Sequence, residues 1–393
     1  MKKVVIISAK RTPVGSLGGS LSSFSAAQLG SFAIKGVLEE TKIDKNLINE
    51  VIMGNVLTAG QGQAPGRQAA IFAGLPEKTE CLTINKMCGS GLKAVMLAHQ
   101  AILCENADLI IAGGQESMSN APYILQKARF GYKLGNGEVV DSMVHDGLWD
   151  AYNNVHMGSC AEACAKDFSF TREQLDEFAI NSYKKALAAQ EAGKFDDEIV
   201  KVSIKSKGGE VVVDNDEEPG KVKFDKIPIL KPVFEKDGVV TAANASSIND
   251  GAAALLIMSE DKAKELSFNP LVEIVAQSSA AKAPIEFTTA PADAISKVLK
   301  RAKMTKNDID IFEINEAFAV VSLAVNKLLG LDPARVNVNG GAVAIGHPIG
   351  ASGARILTTL IHEMKRRNSE FGLASLCIGG GEASALIIKN YNS

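Results

Sequence analysis

The order of strand-like and helix-like patterns is written twice in this chain, and that repetition limits the fold more than any single motif does. Apolar runs at 4–7, 51–53, 81–84 and 109–112 read as strands, with helix-spaced segments at 25–40, 64–73 and 90–103 between them. The same succession returns after residue 270, with strand patterns at 271–276, 311–314, 336–338 and 373–377 and helix patterns at 291–302, 317–329 and 352–364. Asn55 and Ser90 are 35 positions apart and Asn315 and Ser352 are 37, so the copies agree in spacing as well as in order. The second copy closes with a strand at 383–388, and the matching run of the first copy, 252–258, lies beyond an insertion. Alternating strands and helices predict an α/β fold of two like halves. The expected division is 1–118 plus 250–270, an inserted 119–249, and 271–393.

Composition narrows the classes of function. A formal net charge of -3 with 22% charged residues gives no general pull toward nucleic acid or an anionic membrane. No uninterrupted run of about twenty apolar residues is present, and the apolar stretch after Lys2-Lys3 is too short for a signal peptide, so a cytoplasmic protein without a membrane partner is expected. Cysteines at 81, 88, 104, 160, 164 and 377 form no Cys-x-x-Cys pair and no cluster with histidine, which favours neither a metal site nor a disulfide framework. Cys81 and Cys104 read as small core residues, whereas Cys88 and Cys377 stand beside glycines. Within the insertion, Thr171-Arg172-Glu173-Gln174 fits a capping box opening a helix to about residue 192. The acidic run 214–218 reads as a solvated loop, and Trp149 either as pocket lining or, more commonly for such a residue, as partly buried core. His156-Met157-Gly158 and Ala243-Asn244-Ala245-Ser246 suit either a structural loop or the wall of a site for a long, partly apolar ligand.

Chemistry converges on four positions. In doubly wound α/β sheets ligands gather beyond the carboxyl ends of strands, and Cys88, Asn315, His347 and Cys377 each follow a predicted strand. Cys88 precedes the helix at Ser90, whose N-terminal partial charge favours a thiolate. His347 lies in Gly346-His347-Pro348-Ile349-Gly350-Ala351-Ser352-Gly353-Ala354-Arg355, where proline fixes a turn and small residues let a helix start against another backbone. An imidazole there can take the thiol proton, and Asn315 can donate a hydrogen bond directly or through water. The N–H groups of Cys88 and Gly379 supply an oxyanion site. Cys377, as a second thiol, suits a step in which a proton leaves and returns to carbon.

These stretches together resemble the thiolase family over essentially the whole chain, most specifically in Asn85-Lys86-Met87-Cys88-Gly89-Ser90-Gly91, Asn315-Glu316-Ala317-Phe318, Gly346-His347-Pro348 and Cys377-Ile378-Gly379-Gly380-Gly381. The resemblance implies two βαβαβαββ halves packed as five layers, αβαβα, with the inserted loop domain serving coenzyme A binding and oligomerisation. It implies reversible condensation of two acetyl-CoA to acetoacetyl-CoA and CoA. In that reaction Cys88 is the acyl acceptor, His347 its activator, Cys377 the acid/base, Asn315 the holder of an oxyanion water, and Gly379 an oxyanion donor. It further implies CoA-binding positions at Leu148, His156, Met157, Phe234, Ala242, Ser246, Ala317 and Phe318, no metal or cofactor beyond the CoA thioester substrates, and a homotetramer. Three positions depart from the family pattern: Ala383 for a glycine, Ser247 for a glycine, and Gly220-Lys221 in place of an arginine. A 3-ketoacyl-CoA thiolase of broader chain length and an inactive, thiolase-like lipid- or CoA-binding protein are the alternatives. A decarboxylating condensing enzyme is disfavoured by Cys377.

Overall fold

The structure, a computed structural model, describes residues 2–206 and 209–391. The first half contains β1 (Val4–Arg11), α1 (Ala26–Thr41), β2 (Glu50–Gly54), α2 (Pro65–Phe72), β3 (Glu80–Ile84), α3 (Ser90–Leu103) and β4 (Leu109–Ser117). The insertion carries α4 (Met157–Phe168) and α5 (Arg172–Glu191), and the chain returns as β5 (Asn249–Ser259). The second half contains β6 (Val272–Ala281), α6 (Ala290–Ala302), β7 (Ile311–Ile314), α7 (Ala319–Leu329), α8 (Ser352–Arg367), β8 (Phe371–Ile378) and β9 (Glu382–Asn390).

The two halves share one strand order. Hydrogen bonding runs β3-β2-β4-β5-β1 through the first half and β7-β8-β9-β6 through the second. They meet where β1 pairs antiparallel with β6 over Val5–Glu273 and Ile6–Val272. The bulge between Ile6 and Ser8 in β1 has its counterpart between Ile274 and Ala276 in β6. The expected strand at 336–338 is reduced to a single bridge between Phe312 and Val336. Asn337 takes up a left-handed φ of 46°, and its side-chain amide bonds both Ile314 N and Ile314 O at 2.8 Å, doing with a side chain what a backbone ladder would otherwise do.

Five layers follow from which faces are apolar. Leu29, Ala33, Ile34 and Val37 of α1 cover one face of the first half-sheet. Ile295 and Val298 of α6, with Val320 and Val321 of α7, cover the far face of the second. Between the half-sheets lie α3 and α8, whose Leu92, Val95, Ile356 and Leu357 share one core with β-residues of both halves. The near-continuous apolar runs of β4 and β5 are buried throughout because helices cover both faces. The two central helices start in backbone contact: a Cβ on Gly353 would lie 2.4 Å from Leu92 N, and one on Gly91 2.8 Å from Ala354 N. That is the close approach the small residues around His347 predict.

The insertion leaves the first half and packs on the second. Cys160, Ala161, Cys164 and Leu175 from α4 and α5 join the core of Ile314, Phe318, Val321 and Cys377. Thr171 and Gln174 form the predicted capping box at the start of α5. The acidic run behaves differently from its sequence expectation. Asp216 is 4% exposed and receives two guanidinium bonds from the fully buried Arg11, at 2.7 and 2.9 Å. Glu198 takes the third, from Arg11 Nε at 2.6 Å. A buried cation needs buried counter-charges, and the loop supplies one. Cys81 and Cys104, expected in the core, are half-buried and exposed respectively, because β3 is an edge strand and Cys104 lies just past the end of α3. No helix among the described residues is long and apolar enough to cross a membrane.

Candidate active site

Cys88 sits in the tight turn between β3 and α3. Met87 adopts a left-handed φ of 46°, and Gly89 N donates to Lys86 O at 3.0 Å. Ser90, the first residue of α3, folds back over the turn: its Oγ accepts from Lys86 N at 2.8 Å and donates to Met87 O at 2.7 Å. A side chain at Gly89 would run into Ile378, with its Cβ 2.3 Å from Ile378 Cδ1. The second half repeats the device with an imidazole in it. Ser352, the first residue of α8, donates to Pro348 O at 2.9 Å and stands 2.6 Å from His347 Nδ1.

With the Ser352 hydroxyl hydrogen directed at Pro348 O, the arrangement we assign, its oxygen accepts from the ring and the histidine proton sits on Nδ1. His347 Nε2 then carries the basic lone pair, and it has no hydrogen-bond partner among the described residues. Asn315 Nδ2 lies 3.4 Å from Nδ1, and in that tautomer, where both atoms are donors, the amide hydrogens are left for other acceptors. Asn249 Oδ1 accepts from His347 N at 2.9 Å and fixes the backbone of the turn.

Burial sets the resting protonation. It pushes the Cys88 thiol up to about 11, against the Gly379 N–H and the N–H of Cys88 itself, which hold it down. Burial, with the Arg355 guanidinium adding to it, pushes His347 down to about 3. The helix start was expected to favour a thiolate at Cys88; desolvation outweighs it. The resting pair is therefore thiol and neutral imidazole. Cys377, at the end of β8, is fully buried, and its thiol is raised well above the ordinary range by burial first and then by the charge Cys88 would carry. A third ionisable group, Glu116, is fully buried beside the same turns, and burial pushes its carboxyl up to about 7 against four N–H donors.

Cys88, His347 and Gly379 share one cavity of about 280 Å³. Of the predicted ligand positions, Leu148, His156, Met157, Phe234, Ser246, Ala317 and Phe318 line it. Ala242 does not: it is exposed in the turn before Ala243. Asn315 reaches the site only alongside His347, and Cys377 lies buried two residues before Gly379. The wall is aromatic. The His156 ring stacks on Phe234 with centroids 4.7 Å apart, and Phe318 meets both Phe234 and Phe287 edge-on. His156 also caps α4, accepting from Gly158 N at 3.0 Å. A second, wider cavity of about 860 Å³ opens on the other side of Met157 and Gly379, with Trp149 in its lining, 36% exposed.

Sequence reasoning did not find Glu116, Asn249 or Phe287. The signal for Glu116 was present, a lone carboxylate closing the apolar strand Leu109–Ser117 after a glycine pair; Phe287 carried none. The family departures are absorbed locally. Ala383 sits in ordinary β pairing opposite Cys377, where no glycine is needed, and Ser247 Oγ donates to Asn249 Oδ1 at 2.9 Å. Lys221 Nζ is engaged with Ser16 Oγ at 2.5 Å. Among the described residues no group of three or more His, Cys, Asp or Glu is arranged to hold a metal ion.

Known proteins resemble this chain over almost its whole length. Residues 4–261 match the family model for the thiolase N-terminal domain, and residues 268–390 that for the thiolase C-terminal domain. The chain is 54% identical to an acetyl-CoA acetyltransferase of Cupriavidus necator over 391 residues, 99% of this chain and 100% of that one. A Bacillus anthracis acetyl-CoA acetyltransferase structure superposes with a TM-score of 0.97 at 42% identity, covering 99% of both chains. A thiolase of Ascaris suum in complex with coenzyme A superposes with a TM-score of 0.95 at 45% identity, covering 99% of this chain and 100% of that one.

Proposed function

The chain belongs to the thiolase family, and from that membership we propose how its own residues carry out the acetyl-CoA C-acetyltransferase reaction, the reversible condensation of two acetyl-CoA to acetoacetyl-CoA and CoA. The observation that carries the assignment of roles is the meeting of Cys88, His347 and Gly379 in one small, mostly apolar cavity.

Cys88 Sγ attacks the thioester carbonyl carbon of the first acetyl-CoA as its proton passes to His347 Nε2. The Cys88 and Gly379 N–H groups, already directed at that sulfur, receive the oxyanion. CoA thiolate leaves and takes the Cys377 proton. What remains is an acetylated Cys88 with an imidazolium and a thiolate, two buried charges that offset each other. Cys377 thiolate then removes a proton from the methyl carbon of the second acetyl-CoA, and the resulting carbanion attacks acetyl-Cys88. Cys88 thiolate departs and recovers its proton from His347. The Cys88 proton comes back from His347, and a methyl proton of the second acetyl-CoA replaces the one that Cys377 gave to CoA, so the cycle closes without a proton from solvent. Asn315, with free amide hydrogens beside His347, serves the second thioester oxygen directly or through water.

The nucleophile, base and oxyanion donors all come from the protein, so the reading calls for no metal or cofactor. The modest cavity bounded by Leu148, Met157 and Phe234 favours a short acyl group over the broader range of a 3-ketoacyl-CoA thiolase. All six cysteines are free, and chemistry on two thiols suits a reducing compartment, which supports a cytoplasmic location. A homotetramer assembled through the insertion is supported by Tyr123, Phe130 and Leu134, which are 68%, 90% and 102% exposed on one stretch.

Peptide mass spectrometry after incubation with acetyl-CoA alone tests the assignment. An acetyl group is expected on the Cys88 peptide; finding it elsewhere, or nowhere, overturns the proposed roles.

A further inference from the structure

We infer that Glu116 is a positioning residue that locks the His347 turn of the second half onto the Cys88 side of the first, and so sets how the imidazole meets the thiol. The inference rests on the roles proposed above for Cys88 and His347.

Glu116 closes β4 and is fully buried. Its Oε1 accepts from Asn55 Nδ2 at 2.8 Å and Leu57 N at 3.2 Å. Its Oε2 accepts from Val56 N at 3.0 Å and Gly350 N at 2.9 Å. Three of these donors belong to the loop after β2. The fourth belongs to the other half of the molecule, three residues past His347 and just before α8. The contact has no slack: a Cβ on Gly350 would lie 2.6 Å from Glu116 Oε2 and 3.0 Å from Asn55 Cα, and one on Gly114 would lie 2.1 Å from Gly350 O.

What the clamp joins is the floor of the site. Val56 and Leu57 from its first-half side, Ile349 from its second-half side and Met118 form one small apolar cluster, against which Met87 and Cys88 pack. Moving Gly350 away from Glu116 therefore moves Ile349, and with it the turn that carries the His347 ring. All four partners are donors and the two carboxylate oxygens accept two each; a glutamine in its place turns an NH2 group against two of them whichever way it sits, Val56 N and Gly350 N or Leu57 N and Asn55 Nδ2. A general base acts only within hydrogen-bond reach of its proton, so a small displacement here is felt as rate and not as substrate affinity.

The test is a mutant cycle on Cys88 acetylation measured in a single turnover with acetyl-CoA, using Glu116→Gln, His347→Ala and the double variant. Glu116→Gln is expected to slow acetylation about 10-fold or more, with KM for acetyl-CoA changed less than about twofold. In the His347→Ala background the same substitution is expected to add almost nothing, because the residue acts through the imidazole. An unchanged rate in Glu116→Gln, or an equal loss with and without His347, overturns the inference. If Glu116→Gln does not fold, Gly350→Ala, which presses on the clamp from the other side, takes its place in the cycle: a slowing that vanishes without His347 upholds the inference, and an unchanged rate or an equal loss in both backgrounds overturns it. Failure of the wild-type protein to acetylate Cys88 strikes instead at the proposed roles of Cys88 and His347.

Discussion

Ser352 Oγ stands 2.6 Å from His347 Nδ1 and 2.9 Å from Pro348 O, and with its hydrogen directed at Pro348 it holds the ring in the tautomer that leaves Nε2 free to act as a base. Ser90 occupies the equivalent place in the first half, at the start of α3, where it bonds Lys86 N and Met87 O around Cys88. One duplicated serine thus orders a nucleophile turn in one half and a base turn in the other.

Ser352→Ala removes the acceptor that holds the ring N–H. An orphaned buried donor costs about 1–3 kcal/mol, and here the loss falls on the reactive geometry. The acetylation rate of Cys88 is expected to drop about 10- to 100-fold on that basis, with a smaller change in KM. Nitrogen-15 spectra of the imidazole would show the Nδ1–H form depleted; an unaltered tautomer and rate would contradict the assignment.

The pH dependence of Cys88 follows from the desolvation of its half-buried thiol. With the group pushed up to about 11, the thiolate fraction in the free enzyme rises only as pH climbs past the ordinary thiol range. Alkylation by a neutral reagent such as iodoacetamide is expected to increase steadily through about pH 9 without a plateau near neutrality. A plateau at about pH 6 to 7 would mean that the cysteine and histidine rest as an ion pair, against the direction both groups take here.

Cys377→Ala separates the two half-reactions. Cys88 still accepts an acetyl group from acetyl-CoA, whereas condensation falls by about 100- to 10,000-fold, the range for losing a general acid/base. Equal loss of both steps, followed by acetyl-peptide mapping and acetoacetyl-CoA formation, would show that the thiols do not divide the work in this way.

Gly353→Ala tests the meeting of the central helices. Its Cβ would lie 2.4 Å from Leu92 N and 2.7 Å from Leu92 Cβ, so α3 and α8 must separate. Overpacking of this kind costs about 1–3 kcal/mol, read as a lower denaturation midpoint. Because Cys88 and His347 sit at those two helix starts, activity is expected to fall further than the folded fraction does. Full activity with an unchanged midpoint would show that the helices have room to spare.

Much of this was legible in the linear chain because it is local. The repeated spacing of apolar runs marked the long strands and helices of the two halves and one strand too many, at 336–338, where the Asn337 side chain replaces the ladder; the helix Met157–Phe168 of the insertion went unread. Turns that demand small residues marked Cys88, His347 and Gly379, since a glycine beside a polar residue at a strand end is a constraint written in a few consecutive positions. The aromatic wall was only partly legible. His156 and Phe318 lay in recognisable stretches, but Phe287 reaches Phe318 from a different segment with no pattern of its own.

By itself, then, the sequence determined the duplicated α/β frame, the pairing of a cysteine turn with a histidine turn, and the family to which they correspond. The tertiary structure decided the charge states and the partners. Asp216 sits in an acidic run that reads as solvated, yet it neutralises Arg11 from 205 positions away. Cys88 stands just before a helix whose start favours its thiolate, yet desolvation keeps it a thiol. Glu116 reaches Gly350 across 234 positions. Backbone preference is a property of neighbours in sequence, whereas desolvation and pairing depend on which distant segments the fold brings against a group, and no local spacing records that.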